Sequence, residues 1–206
     1  MMTQANLDNR PAALVFGGSR GIGAAAVERL AADGYAVAFT YVSRADKAEE
    51  LARKVEANGG QAHAIAADSA DAAAIESAVA QAVERFGSLS VVVVNAGIFR
   101  MGTIGSVAVS ELDLMLDVNV RAVFLSIQPA VPHLVDGARI ITIGSNVAIR
   151  TGMAGASVYQ MTKTAVAGLV KGVALDLAPR GITVNNIQPG PIDTDINAGS
   201  LDVLAG

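Results

Sequence analysis

The sequence predicts a doubly wound α/β fold, a parallel sheet with helices on both faces. Three observations carry that prediction. Short apolar runs alternate with helical stretches along the chain. The runs are continuously apolar, which suits strands buried on both faces of a parallel sheet. A glycine-rich turn also joins the first run to the first helical stretch, as in a βαβ unit that receives a ligand at its switch point.

Taken in order, AALVF (12–16) is the first strand, and a helix from about 22 to 33 follows and stops at Gly34. YAVAFTY (35–41) reads as a buried strand, and RADKAEELARKVEANGG (44–60) as an amphipathic helix closed by a glycine pair. AHAIAAD (62–68) is strand-like, DAAAIESAVAQAVERFG (71–87) helical, and LSVVVVNAG (89–97) an apolar strand. Helices are expected at 109–117 and 119–132, a strand at 138–145, a long helix at 156–178 and a sixth strand at 182–190. No repeat or long linker interrupts the pattern, so a single domain over 1–206 is expected, with residues 1–10 flexible.

Composition narrows the function. The net charge is −4 with no block of like charge, so no nucleic-acid footprint is present. The longest apolar runs fall short of a membrane span, and the start MMTQANLDNRP lacks a secretory pattern, so no membrane partner is expected. With no cysteine, and with His63 and His133 far apart, no metal site is expected. Asp193 and Asp195 read as loop hydrogen-bonding residues instead of a metal pair. A cytoplasmic protein is the simplest expectation.

The turn GGSRGIG (17–23) follows a strand and opens a helix. Glycines there let backbone approach a pyrophosphate, whose charge meets the free N–H groups of the helix start. Gly17, Ser19, Arg20, Gly21, Ile22 and Gly23 are therefore candidate dinucleotide ligands. At the end of the second strand an acid would select NAD(H) through the ribose hydroxyls. The sequence instead places Tyr41, Ser43 and Arg44 there, with Arg20 in the turn, which favours NADP(H) because guanidinium binds phosphate through charge-assisted bonds. The competing reading makes both arginines solvated surface residues. Asp68, beside Ser69, is placed to meet the adenine amino group or to cap the next helix.

In GASVYQMTKTAV (155–166), Tyr159 and Lys163 share one helical face. Alone, the pair also reads as an edge tyrosine beside a lysine reaching for water. The order of the motifs around it changes that. GGSRGIG, VNAGI (94–98), DVNVRAVF (117–124), IGS (143–145), YQMTK (159–163) and QPGPIDTD (188–195) stand in register over about residues 12–197. The chain thereby resembles the short-chain dehydrogenase/reductase family, of the 3-oxoacyl-carrier-protein reductase type, and the implied fold is a Rossmann domain.

The resemblance implies a catalytic set of Asn119, Ser145, Tyr159 and Lys163, and adds Asn95, Ala96, Gly97, Pro189, Gly190, Ile192 and Thr194 to the cofactor contacts. It implies reduction of a ketone or 3-oxoacyl carbonyl, with Tyr159 as proton donor, Lys163 as the cation that tunes it and as a ribose ligand, Ser145 holding the substrate oxygen, and Asn119 anchoring a proton relay. The alternative is a nucleotide-binding regulator on the same fold. A homo-oligomer, tetramer or dimer, is expected to pack the helices at about 109–132 and 156–178 across subunits. Val147, Ile149, Arg150 and Met153 are expected to border the substrate. Phe16 and Val94 depart from the polar residues usual there, so apolar packing is expected to hold the glycine turn. The family pattern also continues beyond INAGSLDVLAG, so a shortened substrate cover and an exposed sixth strand are expected.

Overall fold

In a computed structural model, residues 10–150 and 152–197 are described. Most of the stretch expected to be flexible, residues 1–9, lies outside them. The six expected strands all form: β1 (Ala12–Phe16), β2 (Ala36–Tyr41), β3 (Gln61–Ala66), β4 (Leu89–Val94), β5 (Leu134–Ile143) and β6 (Thr183–Ile187). They pair in parallel in the order β3-β2-β1-β4-β5-β6, with the reversal of direction between β1 and β4. That reversal opens the crevice at the carboxyl ends of the strands where ligands of doubly wound sheets bind.

Alternate residues of each strand feed two cores. Leu14, Phe16, Val92, Val94 and Ile140 face one side with Ile75, Val79, Val123, Val166 and Val170 from α3 (Ala72–Phe86), α5 (Ala122–Ile127) and α6 (Ser157–Leu177). Ala13, Val15, Val37, Phe39, Val91 and Val93 face the other with Val27, Leu51 and Val55 from α1 (Gly21–Ala32) and α2 (Ala45–Ala57). Such side chains contribute about 1.5–3 kcal/mol each when fully buried, which explains why the strands are apolar on both faces. β6 is an edge strand among the described residues, and Thr183, Asn185 and Ile187 are exposed along it.

Local signals set the helix ends. Asp71 caps α3, its Oδ1 accepting from the N–H groups of Ala73 and Ala74 at 2.9 and 3.4 Å. Gly87, at φ 81°, ends the same helix. At α1 no side chain caps the first turn and no acid lies in it, so its N–H groups remain open toward the sheet crevice.

Two boundaries differ from expectation. The stretches at 109–117 and 119–132 form one continuous run in which α4 (Val109–Leu116) passes through a π turn (Asp117–Arg121) into α5. π turns inside α-helices concentrate at functional positions, and this one carries Asn119. The run is long and apolar enough to cross a membrane by length and composition, yet Met115, Val118, Ala122, Val123 and Ile127 are buried within the protein. β5 also begins four residues early, at Leu134, because Leu134 pairs with Leu89 before a register shift brings Arg139 beside Val91.

Candidate active site

Almost every predicted site residue lies at or just beyond the carboxyl end of a strand, or on the helices facing that end. Gly17, Ser19 and Arg20 follow β1, and Gly21, Ile22 and Gly23 open α1. The turn must be glycine for two separate reasons. Gly17 sits at φ 74°, and a Cβ there would lie 2.8 Å from the Ala96 Cα. At Gly23 a Cβ would lie 2.1 Å from the Gly17 carbonyl oxygen and 2.6 Å from Asn95 Nδ2. Replacing Gly23 by Ala is expected to lower stability by about 1–3 kcal/mol through overpacking, as measured by urea unfolding. Unchanged stability would show that the turn yields.

The expectation that apolar packing alone would hold this turn is incomplete. Phe16 and Val94 are indeed buried, at 1% and 3% exposure. Polar ties remain as well, because Asn95 Nδ2 donates to the Gly17 carbonyl at 2.7 Å and the Gly17 N–H donates to Thr40 Oγ1 at 2.8 Å. Thr40 was not singled out in the sequence. A buried hydroxyl closing the apolar run AVAFTY was the available signal.

Around the second strand, Tyr41 ends β2, and Ser43 and Arg44 are exposed beyond it. Arg44 donates to Asp46 through Nε at 2.9 Å and Nη2 at 2.7 Å, and the pair holds the Asp46 carboxyl down at about 2. Arg20 Nη1 approaches Asp195 Oδ2 at 3.5 Å, joining the glycine turn to the loop after β6. In that loop Thr194 lies over Gly21, with its Cγ2 3.2 Å from where a Cβ would stand. Pro189 and Gly190 follow β6, and Ile192 accepts at its carbonyl from the Thr194 hydroxyl at 3.3 Å. Asp68 Oδ1 accepts from the Ala70 N–H at 2.9 Å, so Asp71, and not Asp68, is the helix cap. Ser69 is buried beside it.

The catalytic candidates converge on the far side of β4. Lys163 is 5% exposed, and its ammonium donates to the Ile143 carbonyl at 3.0 Å. Burial depresses it to about 8, so it still carries its charge through most of the neutral range. It lies 5.7 Å from the centroid of the Tyr159 ring. Burial pushes the Tyr159 phenol above its ordinary value, and a hydrogen bond with the Ser145 hydroxyl pulls part of the rise back. In the free protein the phenol therefore stands above its ordinary value, with Ser145 and not Lys163 as the group that draws it down. Ser145 leaves β5 in extended conformation and opens a short 3-10 turn (Asn146–Ala148), where its Oγ accepts from the Val147 N–H at 3.4 Å.

Asn119 is 1% exposed and clamps both backbone groups of Ile98. Its Oδ1 accepts from the Ile98 N–H at 2.8 Å and its Nδ2 donates to the Ile98 carbonyl at 2.9 Å. Its side chain is therefore committed to the loop after β4. Gly97 in that loop leaves the room this needs, with a Cβ there meeting Asn119 Oδ1 and Lys163 Nζ at 3.4 Å each. Ile149 is 81% exposed and Arg150 is exposed, while Met153 is half-buried.

The residues present fit a dinucleotide. An uncapped helix start follows a turn whose close packing excludes a Cβ at Gly17 and Gly23, and Lys163 spends one of its three donor positions on Ile143. Together with a half-buried Tyr159 and the buried Lys163, Ser145 and Asn119, these features define a nucleotide-dependent oxidoreductase. Residues 11–202 match the family model described as short chain dehydrogenase, and the chain belongs to that family. It acts on the CH–OH/C=O class of substrates. It is 41% identical over 184 residues to the cyclic-di-GMP-binding biofilm dispersal mediator protein of Escherichia coli, covering 89% of this chain and 74% of that one. A 3-oxoacyl-acyl-carrier-protein reductase of Staphylococcus aureus is 40% identical over 195 residues, covering 93% of this chain and 78% of that one. A Burkholderia cenocepacia short chain dehydrogenase solved in complex with NADP superposes with a TM-score of 0.88 at 49% identity, over 90% of this chain and 76% of that one.

Proposed function

We propose that the protein is an NADP(H)-dependent reductase that converts a ketone or 3-oxoacyl carbonyl to the alcohol. The observation that carries this is the buried Lys163 ammonium beside the Tyr159 ring and the Ser145 hydroxyl, at the mouth of a glycine-built cradle. Bound NADPH would supply the hydride to the carbonyl carbon. Tyr159 gives its phenolic proton to the carbonyl oxygen, and Lys163 stabilises the phenolate left behind. Ser145 holds the same oxygen as its charge grows. Asn119 fixes the loop that carries Gly97 and Ile98 against Lys163. Gly17, Ser19, Gly21, Ile22, Gly23, Asp68, Ser69, Asn95, Ala96, Gly97, Pro189, Gly190, Ile192 and Thr194, with Tyr159 and Lys163, would hold the dinucleotide, and Arg20 and Arg44, with Tyr41 and Ser43, would meet the 2′-phosphate.

The test is NADPH consumption with a panel of small ketones, 3-oxoacyl thioesters and quinones. Turnover of at least one class is expected, and none with any class would overturn the reading. A second reading, a nucleotide-binding regulator, is favoured by the name of the E. coli relative. It predicts nucleotide binding without carbonyl turnover. Arg44→Ala is expected to raise the Kd for NADPH about ten- to hundredfold while leaving NADH nearly unchanged, since one charge-assisted bond is worth about 1.5–3 kcal/mol. Equal weakening of both, by fluorescence titration, would remove Arg44 from the phosphate site.

We place the protein in the cytoplasm as a homo-oligomer. Leu114, Phe124, Met161 and Leu175 leave apolar surface on the α4–α5 run and on α6, which supports packing between subunits there.

A further inference from the structure

Thr162 is completely buried, one residue before Lys163. Its hydroxyl donates to the carbonyl of Tyr159 at 2.7 Å, a bond to the residue three places back on α6. With its only proton spent there, Oγ1 has lone pairs left and no donor to offer. Asn119 Nδ2 fills that vacancy by donating to it at 3.2 Å. The contact selects one of the two orientations of the Asn119 amide. A flipped amide would set Oδ1 against both the Thr162 oxygen and the Ile98 carbonyl, and would leave the Ile98 N–H facing an NH₂ group.

The chain of contacts closes on itself. Thr162 orients Asn119, Asn119 clamps both backbone groups of Ile98, and the next residue, Phe99, lays its ring edge-on to the Tyr159 ring at 4.8 Å and 67°. Tyr159 is thus gripped from its own carbonyl and from its aromatic face by one circuit, and Lys163 stands inside it.

We infer that the Thr162 hydroxyl is a positioning residue for the Tyr159–Lys163 pair, acting through Asn119 and the Ile98–Phe99 backbone. It touches neither substrate nor cofactor. The kinetic part of the inference rests on the carbonyl-reduction reading, whereas the structural part does not.

Thr162→Val keeps the branched shape and removes the hydroxyl, leaving one Asn119 N–H buried without a partner. The expected result is a kcat about tenfold lower with the KM for NADPH within about twofold, because the hydroxyl's bond to the Tyr159 carbonyl and the bond it accepts from Asn119 are both lost. Thr162→Ser restores the hydroxyl and is expected to restore kcat. Two readouts need no turnover. The Asn119 side-chain amide signals should shift and broaden in the nitrogen–proton NMR spectrum of Thr162→Val, and hydrogen exchange at the Ile98 N–H should speed up about tenfold. Thr162→Ser should resemble the parent in both.

Thr162→Ala, with room for a water, serves if the valine variant does not fold. If the parent turns over no carbonyl yet the amide signals and Ile98 exchange respond as stated, the positioning inference stands and the reductase reading falls. Unchanged Ile98 exchange and unchanged Asn119 signals in folded Thr162→Val or Thr162→Ala would overturn the inference. So would a serine variant as impaired as the valine one.

Discussion

Tyr159→Phe is expected to lower carbonyl-dependent NADPH oxidation by about 10²–10⁴-fold, the range a positioned general acid contributes. The phenylalanine keeps the ring that packs edge-on against Phe99 and beneath which Lys163 lies, and removes the one atom proposed to carry the proton. Binding of NADPH and the midpoint of thermal unfolding should change little, because the hydroxyl contributes only the hydrogen bond with Ser145. Stopped-flow and equilibrium fluorescence would separate the two effects. A variant that turns over at the parent rate would move the acid to another group and leave Tyr159 a packing residue.

Lys163→Met should separate stability from activity. In the folded chain burial holds the ammonium at about 8 against its ordinary value of 10.5. The unfolded chain therefore binds more protons between those values, and stability rises with pH across that window. At pH 7 the charge is present in both states and the full penalty applies, about 3 kcal/mol at 1.36 kcal/mol per pKa unit. Methionine removes that penalty and forfeits the bond to the Ile143 carbonyl, about 1 kcal/mol. The net expectation is a ligand-free protein about 2 kcal/mol more stable, with a Tm several degrees higher. Turnover should fall by about 10²-fold or more as the cation beside Tyr159 disappears. The pH-dependent gain in stability between about 8 and 10.5 should also vanish in the variant, as followed by urea unfolding at several pH values. A variant that unfolds at the parent midpoint would mean that the charge is solvated.

The layered fold was legible because the central strands are apolar on both faces, as at VVVV (91–94), whose residues divide between two cores. The Tyr159–Lys163 pair was legible because helical spacing alone puts the two on one face. Other features depend on pairings that composition and spacing do not reveal. Arg44 looked like a free cation, since nothing in TYVSRADK says that its guanidinium closes on Asp46 two residues later. Residues 134–137, LVDG, hid the start of β5 because Asp136 and Gly137 break the apolar run, and only the Leu89–Leu134 pairing brings it into the sheet. Thr40 and Thr162 are ordinary residues in their own elements, and their hydroxyls gain meaning only once the Gly17 N–H and the Asn119 amide arrive from elsewhere.

The π turn at Asp117–Arg121 has a consequence for how the long helical run can change. Each α-helical residue turns the chain by about 100°, and the wider π turn absorbs one surplus residue, so Met115 before it and Val123 and Ile127 after it all face the core although the apolar pattern of the sequence slips by one place. Removing a single residue between Asp117 and Arg121 would let the run close into an unbroken α-helix with Val123 and Ile127 still on the core, and the change would fall on the turn that carries Asn119. The surplus residue thus serves the Asn119 turn, and the packing of the Val109–Leu116 and Ala122–Ile127 halves does not depend on it.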